Sequence, residues 1–131
     1  MTVAEILGCG SATNKRKRHD FYETPEWAVE QLCEVERFAS VIWEPCAGGG
    51  QLARVLRRYG SKVIESDLIR RGRNQQRLDF LEAEFSLASA IVANPPYRIA
   101  TKFIRHALSL GVGYLALLLK ADFLNAQERQ S

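Results

Sequence analysis

Short apolar runs alternate along the chain with stretches whose apolar residues recur every three to four positions. Val41-Ile42-Trp43-Glu44, Lys62-Val63-Ile64-Glu65-Ser66-Asp67 and Ala90-Ile91-Val92-Ala93, the last reaching Asn94, have the length and residue types of strands. Tyr114 to Leu119 is a fourth such run. Helical stripes lie between and before them. Ala28, Leu32 and Val35 mark one over about Pro25 to Arg37, with Thr24 as cap, Pro25 at the first helical position and Glu26 at the positive end of the dipole. Leu52, Val55 and Leu56 mark a second from Gln51 to Tyr59, with Gly60 closing it. Phe103, Ile104, Ala107 and Leu108 mark a third from Thr101 to Leu110, closed by Gly111 and Gly113. Ile69 to Arg77 reads as a basic loop, and Leu78 to Leu81 as a short element leading to a third strand or a turn.

Strands and helices in regular alternation predict βαβ units, hence an α/β fold with a mostly parallel sheet and helices on both faces. Tyr114 to Leu119 is apolar throughout, as expected of a strand covered on both sides. The residues after it read as no further strand, which would leave it at an unprotected edge. The expectation is therefore a sheet lacking C-terminal strands, with self-association or a partner strand at that edge. Residues 1–19 mix small polar residues with the run Lys15-Arg16-Lys17-Arg18-His19 and are predicted to form a flexible basic segment, with one domain over 20–131.

Composition narrows the class. The chain has 131 residues, 47% hydrophobic and 25% charged, the balance of a soluble domain with one core. No apolar run approaches the roughly 20 residues of a membrane span, and the N-terminus lacks the basic start of a secretory signal, so no membrane is expected and the cytoplasm is the predicted location. Cys9, Cys33 and Cys46 are widely spaced, and His19 and His106 lie far apart; neither a disulfide framework nor a metal site is predicted. The net charge of +3 decides little, but its distribution is clustered. Arg70, Arg71 and Arg73 form a second basic group that suits phosphate contacts, or else a solvated loop.

The candidate chemistry stands at strand ends. Glu44-Pro45-Cys46-Ala47-Gly48-Gly49-Gly50 follows one strand and opens a helix, where glycines permit a tight turn and close approach of a ligand. Asp67 ends the next strand, the place from which an acid accepts hydrogen bonds from ribose hydroxyls. The glycines are consecutive rather than in the dinucleotide pattern, and the acid Glu44 opposes a pyrophosphate but suits an ammonium group. A nucleoside cofactor without phosphate, S-adenosylmethionine, fits these features. Asn94-Pro95-Pro96-Tyr97 is a stiff strand-end turn with an amide acceptor and an aromatic ring, able to hold a flat amine-bearing substrate. The plainer alternatives are a tight surface turn and a rigid loop with a packing tyrosine.

With these motifs in order, residues 20 to about 125 resemble the class I methyltransferases of Rossmann-like fold, and most closely the DNA N6-adenine methyltransferases of phage and prophage type. The resemblance implies cofactor contacts at Glu44, Pro45, Cys46, Ala47, Gly48, Gly50 and Asp67. It implies that Tyr22, Thr24 and Pro25, in Asp20-Phe21-Tyr22-Glu23-Thr24-Pro25, lie over the methionine end of the cofactor, and that Asp79 and Phe80 contact its adenine. Asn94, Pro95, Pro96 and Tyr97 become the catalytic group, methylating the N6 of a flipped adenine in DNA, with Arg70, Arg71 and Arg73 toward nucleic acid. Enzymes acting on RNA adenine or protein glutamine carry the same four residues and are the alternative substrates. The family's sheet continues to a C-terminal hairpin that this chain lacks, so an inactive remnant is a further alternative.

Overall fold

A computed structural model describes residues 25–72 and 74–119. Residues 1–24, with the expected basic segment, Tyr22 and Thr24, lie outside it, as do Arg73 and residues 120–131. Ten elements follow in order: α1 (Glu26–Val35), β1 (Val41–Glu44), α2 (Gln51–Arg58), β2 (Lys62–Asp67), β3 (Gln75–Arg77), a 3₁₀ turn (Phe80–Glu82), β4 (Ala90–Ala93), a second 3₁₀ turn (Tyr97–Ile99), α3 (Ala100–Ser109) and β5 (Tyr114–Leu117). The five strands form one sheet in the order β3-β2-β1-β4-β5, and every pairing is parallel.

Side chains alternate across this sheet, and in β1, β4 and β5 both sets are buried. Ile42, Val92, Ala116 and Leu118 face α1 and α2, where Ala28, Leu32, Val55 and Leu56 meet them. Trp43, Ile91, Leu115 and Leu117 face the other way, against Phe103 and Ala107 of α3 and Phe80 of the first 3₁₀ turn. A strand covered on both faces needs no polar alternation, which is why β4 and β5 read as unbroken apolar runs. Each large side chain so buried contributes roughly 1.5–3 kcal/mol. The fold is thus α/β with helices on both faces. No helix among the described residues is long and apolar enough to cross a membrane.

Glycines end two helices where the chain must turn. Gly60 has φ 102 and donates to the Arg57 carbonyl, while the Ser61 N–H returns to the Leu56 carbonyl, closing α2. Gly111, with φ 73, does the same service after α3, its N–H meeting the Leu108 carbonyl.

Several boundaries correct the sequence reading. The first helix runs from Glu26 to Val35, with Pro25 as its N-cap rather than its first helical residue. Val35 is 79% exposed, because the packed part of α1 ends with Leu32 and Cys33. The second helix stops at Arg58. The third begins at Ala100, and Leu108 is 48% exposed, since it stands one position past Ala107 and so turns away from the buried face. The third strand lies inside the expected basic loop. Gln75, Gln76 and Arg77 pair with Glu65, Ser66 and Asp67. A three-residue strand at the sheet's margin, with Gln76 and Arg77 exposed, carries no hydrophobic period to find.

Candidate active site

The strand order reverses between β1 and β4, and a cavity of about 260 Å³ opens beyond the carboxyl ends of the strands there. In open parallel sheets this reversal leaves a crevice, because the connections after neighbouring strands depart to opposite faces. Pro45, Cys46, Ala47 and Gly48 bring the turn after β1 to its wall. Asp67 brings the end of β2, and Asp79 and Phe80 the first 3₁₀ turn. Asn94 and Pro96 bring the turn after β4. The two motifs, far apart in sequence, thus share one cavity.

The turn after β1 is held from outside itself. The Ala47 N–H donates to the Ser66 carbonyl at 3.0 Å, and the Gly48 N–H donates to Asp67 Oδ2 at 2.7 Å. Gly48 and Gly50 have φ of 55 and 88, left-handed values that other residues adopt at a cost. Beneath the turn the Trp43 indole N–H donates to Ser66 Oγ at 2.9 Å, so even this buried polar pair is satisfied.

Asp67 has more than one task. Besides Gly48, it meets Arg71 Nη1 at 3.4 Å through Oδ2 and the Ile69 N–H at 3.4 Å through Oδ1. Its side chain is 16% exposed and stays open to the cavity. Asp79 caps the first 3₁₀ turn, accepting from the Leu81 N–H at 3.0 Å. Phe80 serves the wall and the core together. Its ring stacks on Phe103 with centroids 4.3 Å apart and meets Trp43 and His106 edge-on.

Other expected residues do not line the cavity. Glu44 is 1% exposed, and its Oε2 has no hydrogen-bond partner among the described residues. Burial foremost, then the nearby Glu65 and Asp67, pushes its carboxyl well above the usual range, with Arg57 opposing. A neutral acid is the form this setting favours, so the sequence argument that Glu44 presents a charge to an ammonium group has no counterpart in this geometry. Gly50 is the N-cap of α2, Pro95 is buried, and Tyr97 packs against the core on the α3 side. Pro25 is the N-cap of α1, and Arg70 is exposed on the loop after β2. Burial, followed by Glu44, Asp67 and Asp79, also pushes the Cys46 thiol well up, so it faces the cavity as a small neutral group.

The structure adds wall residues that the sequence reading passed over. Leu68 and Ile69 follow Asp67 directly and remain 57% and 40% exposed. Two apolar residues right after a strand-ending acid were a signal available in the sequence, given that ligands bind at strand carboxyl ends. Arg98 and Ile99, after the Pro-Pro turn, complete the side nearest Asn94. Among the described residues no group of three or more His, Cys, Asp or Glu side chains is placed to hold a metal ion. Scanned against models of known protein families, the chain matches none, and a search of curated proteins finds no match.

Proposed function

We propose that this chain transfers a methyl group from S-adenosylmethionine to the N6 amino group of adenine in DNA. The observation that carries the reading is the meeting of the glycine turn after β1 with Asn94 and Pro96 after β4 in one cavity at the reversal of strand order. The walls suit a nucleoside without phosphate. Asp67 and Asp79 oppose an anion but accept from hydroxyls and amines, while Leu68, Ile69 and Phe80 offer apolar surface to a flat base. When bound, S-adenosylmethionine supplies a methyl group activated by a positively charged sulfur.

On this reading Asp67 accepts from the ribose hydroxyls, and Cys46, Ala47 and Gly48 give the close approach that larger side chains would block. Asn94 works on the other substrate. An adenine amine is a poor nucleophile because its lone pair is delocalised into the ring. The Asn94 side-chain oxygen at the cavity wall accepts one of its N–H groups, favours a pyramidal nitrogen and fixes its direction. Orientation of this kind, with local electrostatics, is the main source of rate in such a transfer. A base in a duplex must be flipped out at a cost of a few kcal/mol. Stacking on Tyr97, worth roughly 1–3 kcal/mol, offsets that cost, and requires its ring to turn from the core contact it now makes. Arg71 and Arg98 at the wall, with Arg70 beside them, favour a polyanionic substrate over a protein glutamine.

The test is titration calorimetry with S-adenosylmethionine, followed by tritium transfer from the labelled donor to unmethylated DNA, RNA and protein. Saturable binding and label recovered as N6-methyladenine from DNA are expected. Absence of binding sinks the reading, and label in RNA or protein alone replaces its substrate.

A further inference from the structure

Gln75 stands on the outermost short strand, yet it is only 6% exposed. Its side-chain amide reaches three elements. Nε2 donates to the Gly48 carbonyl at 2.8 Å and to Glu65 Oε1 at 3.3 Å, while Oε1 accepts from the Arg71 backbone N–H at 2.9 Å. The partners fix the amide's orientation. A flipped amide would set its oxygen against two acceptors and its NH₂ against a donor. Only a side chain with two donors and an acceptor at this length serves all three.

Gly48 is thereby gripped on both sides, its N–H by Asp67 at 2.7 Å and its carbonyl by Gln75. Arg71 belongs to the loop that also carries Leu68 and Ile69, and this loop and Gly48 both line the cavity. Glu65, the third partner, is itself fixed by Arg57 Nη1 at 2.7 Å. We infer that Gln75 is a positioning residue of the cavity: one buried amide ties the glycine turn to the loop after β2 and so fixes the place of each against the other. The inference rests on the methyl-donor reading only for the choice of S-adenosylmethionine as probe.

Two variants test it. Gln75→Met keeps length and shape but removes every hydrogen bond. Gln75→Glu keeps the acceptor toward the Arg71 N–H, loses both donors, and sets a new carboxylate beside Glu65. The charged and titratable groups around it are Glu65 and Asp67 of β2, Glu44 of β1, Arg54 and Arg57 of α2 and Arg71 of the loop. Burial and the neighbouring acids, Glu65 nearest, favour protonation of the new group while the arginines oppose it, and a protonated carboxyl regains one donor. Affinity for S-adenosylmethionine is measured against wild type from about pH 8 to about pH 5, around the upper carboxyl range. Gln75→Met should bind about tenfold or more weakly at every pH. Gln75→Glu should be at least as weak at the upper end and recover toward wild type as pH falls, which a merely structural defect would not do.

Hydrogen exchange on the ligand-free protein gives a second readout. The Arg71 amide should exchange about tenfold faster in Gln75→Met and stay protected in Gln75→Glu. Wild-type affinity in both variants, or unchanged Arg71 exchange in Gln75→Met, overturns the inference. A wild-type chain that takes up no S-adenosylmethionine overturns the methyl-donor reading instead, and the exchange rates still decide the role of Gln75.

Discussion

Two turns leave neighbouring strands at the cavity, and they are made stiff in opposite ways. The turn after β1 is built of small residues and has little stiffness of its own. It is fixed by contacts from β2 and β3: Ala47 to the Ser66 carbonyl, Gly48 to Asp67, and Gln75 to the Gly48 carbonyl. The turn after β4 carries stiffness in its covalent rings. Pro95 and Pro96 have restricted φ, and the chain passes at once into a 3₁₀ turn, closed by the Ile99 N–H on the Pro96 carbonyl, and then α3. A flexible turn lets a ligand approach the backbone but must be braced from elsewhere. A turn with two proline rings starts with fewer backbone conformations to restrict. On the proposed function these are the needs of a cofactor and of an attacking amine respectively.

The sharpest way to break this comparison is at Asn94. Asn94→Ala should lower the rate of methyl transfer about 100-fold or more, the scale of losing one aligned polar group at a reacting centre, while cofactor affinity stays near wild type. Loss of cofactor binding in calorimetry would mean that the two turns do not divide the work in this way. Asp67→Ala attacks the braced side. It removes the acceptor of the Gly48 N–H and the proposed ribose contact, so affinity should fall roughly 10- to 100-fold. An unchanged dissociation constant would take Asp67 out of the site.

Smaller effects sharpen the physical claim. A methyl added at Gly50 meets nothing nearer than 3.5 Å, so space is not the obstacle. Its φ of 88 is. Gly50→Ala should therefore cost about 1–2 kcal/mol of stability from backbone strain alone. A melting temperature equal to wild type would contradict the strain. Last comes Glu44, whose carboxyl is raised in the fold above its ordinary 4.5. Its folded form holds a proton that the unfolded chain releases, so this contribution to stability is complete below about pH 4.5 and declines as pH rises toward the folded value. Gln cannot ionise, so urea titrations of wild type and Glu44→Gln should diverge over that window, with wild type losing ground. Parallel curves would show that Glu44 titrates normally.

Much of the fold was legible where local chemistry and tertiary need agree. β1 and β2 lie where their residue types predict, and the Gly60 turn ends α2 by a local backbone pattern. Failures came where a neighbour decides. Gln75 to Arg77 forms a strand only because β2 offers its edge, and Val35 has an apolar side chain that stays 79% exposed. Asn94 and Asp67 were recognisable from their places at strand ends. Gln75 was not, since its three partners are brought to it from β2, the glycine turn and the loop after β2.

The sequence by itself determined the order of the three helices and of every strand but β3, the double burial of β5, and the two turns that carry polar chemistry. These follow from side-chain size, β-branching and the restricted backbones of proline and glycine, which act within a few residues. Tertiary structure alone decided that the strand order reverses between β1 and β4, that both turns face one cavity, and that Glu44 is hidden while Leu68 and Ile69 are not. Those outcomes depend on which surfaces pack together, and burial and charge environment are properties of the packed whole.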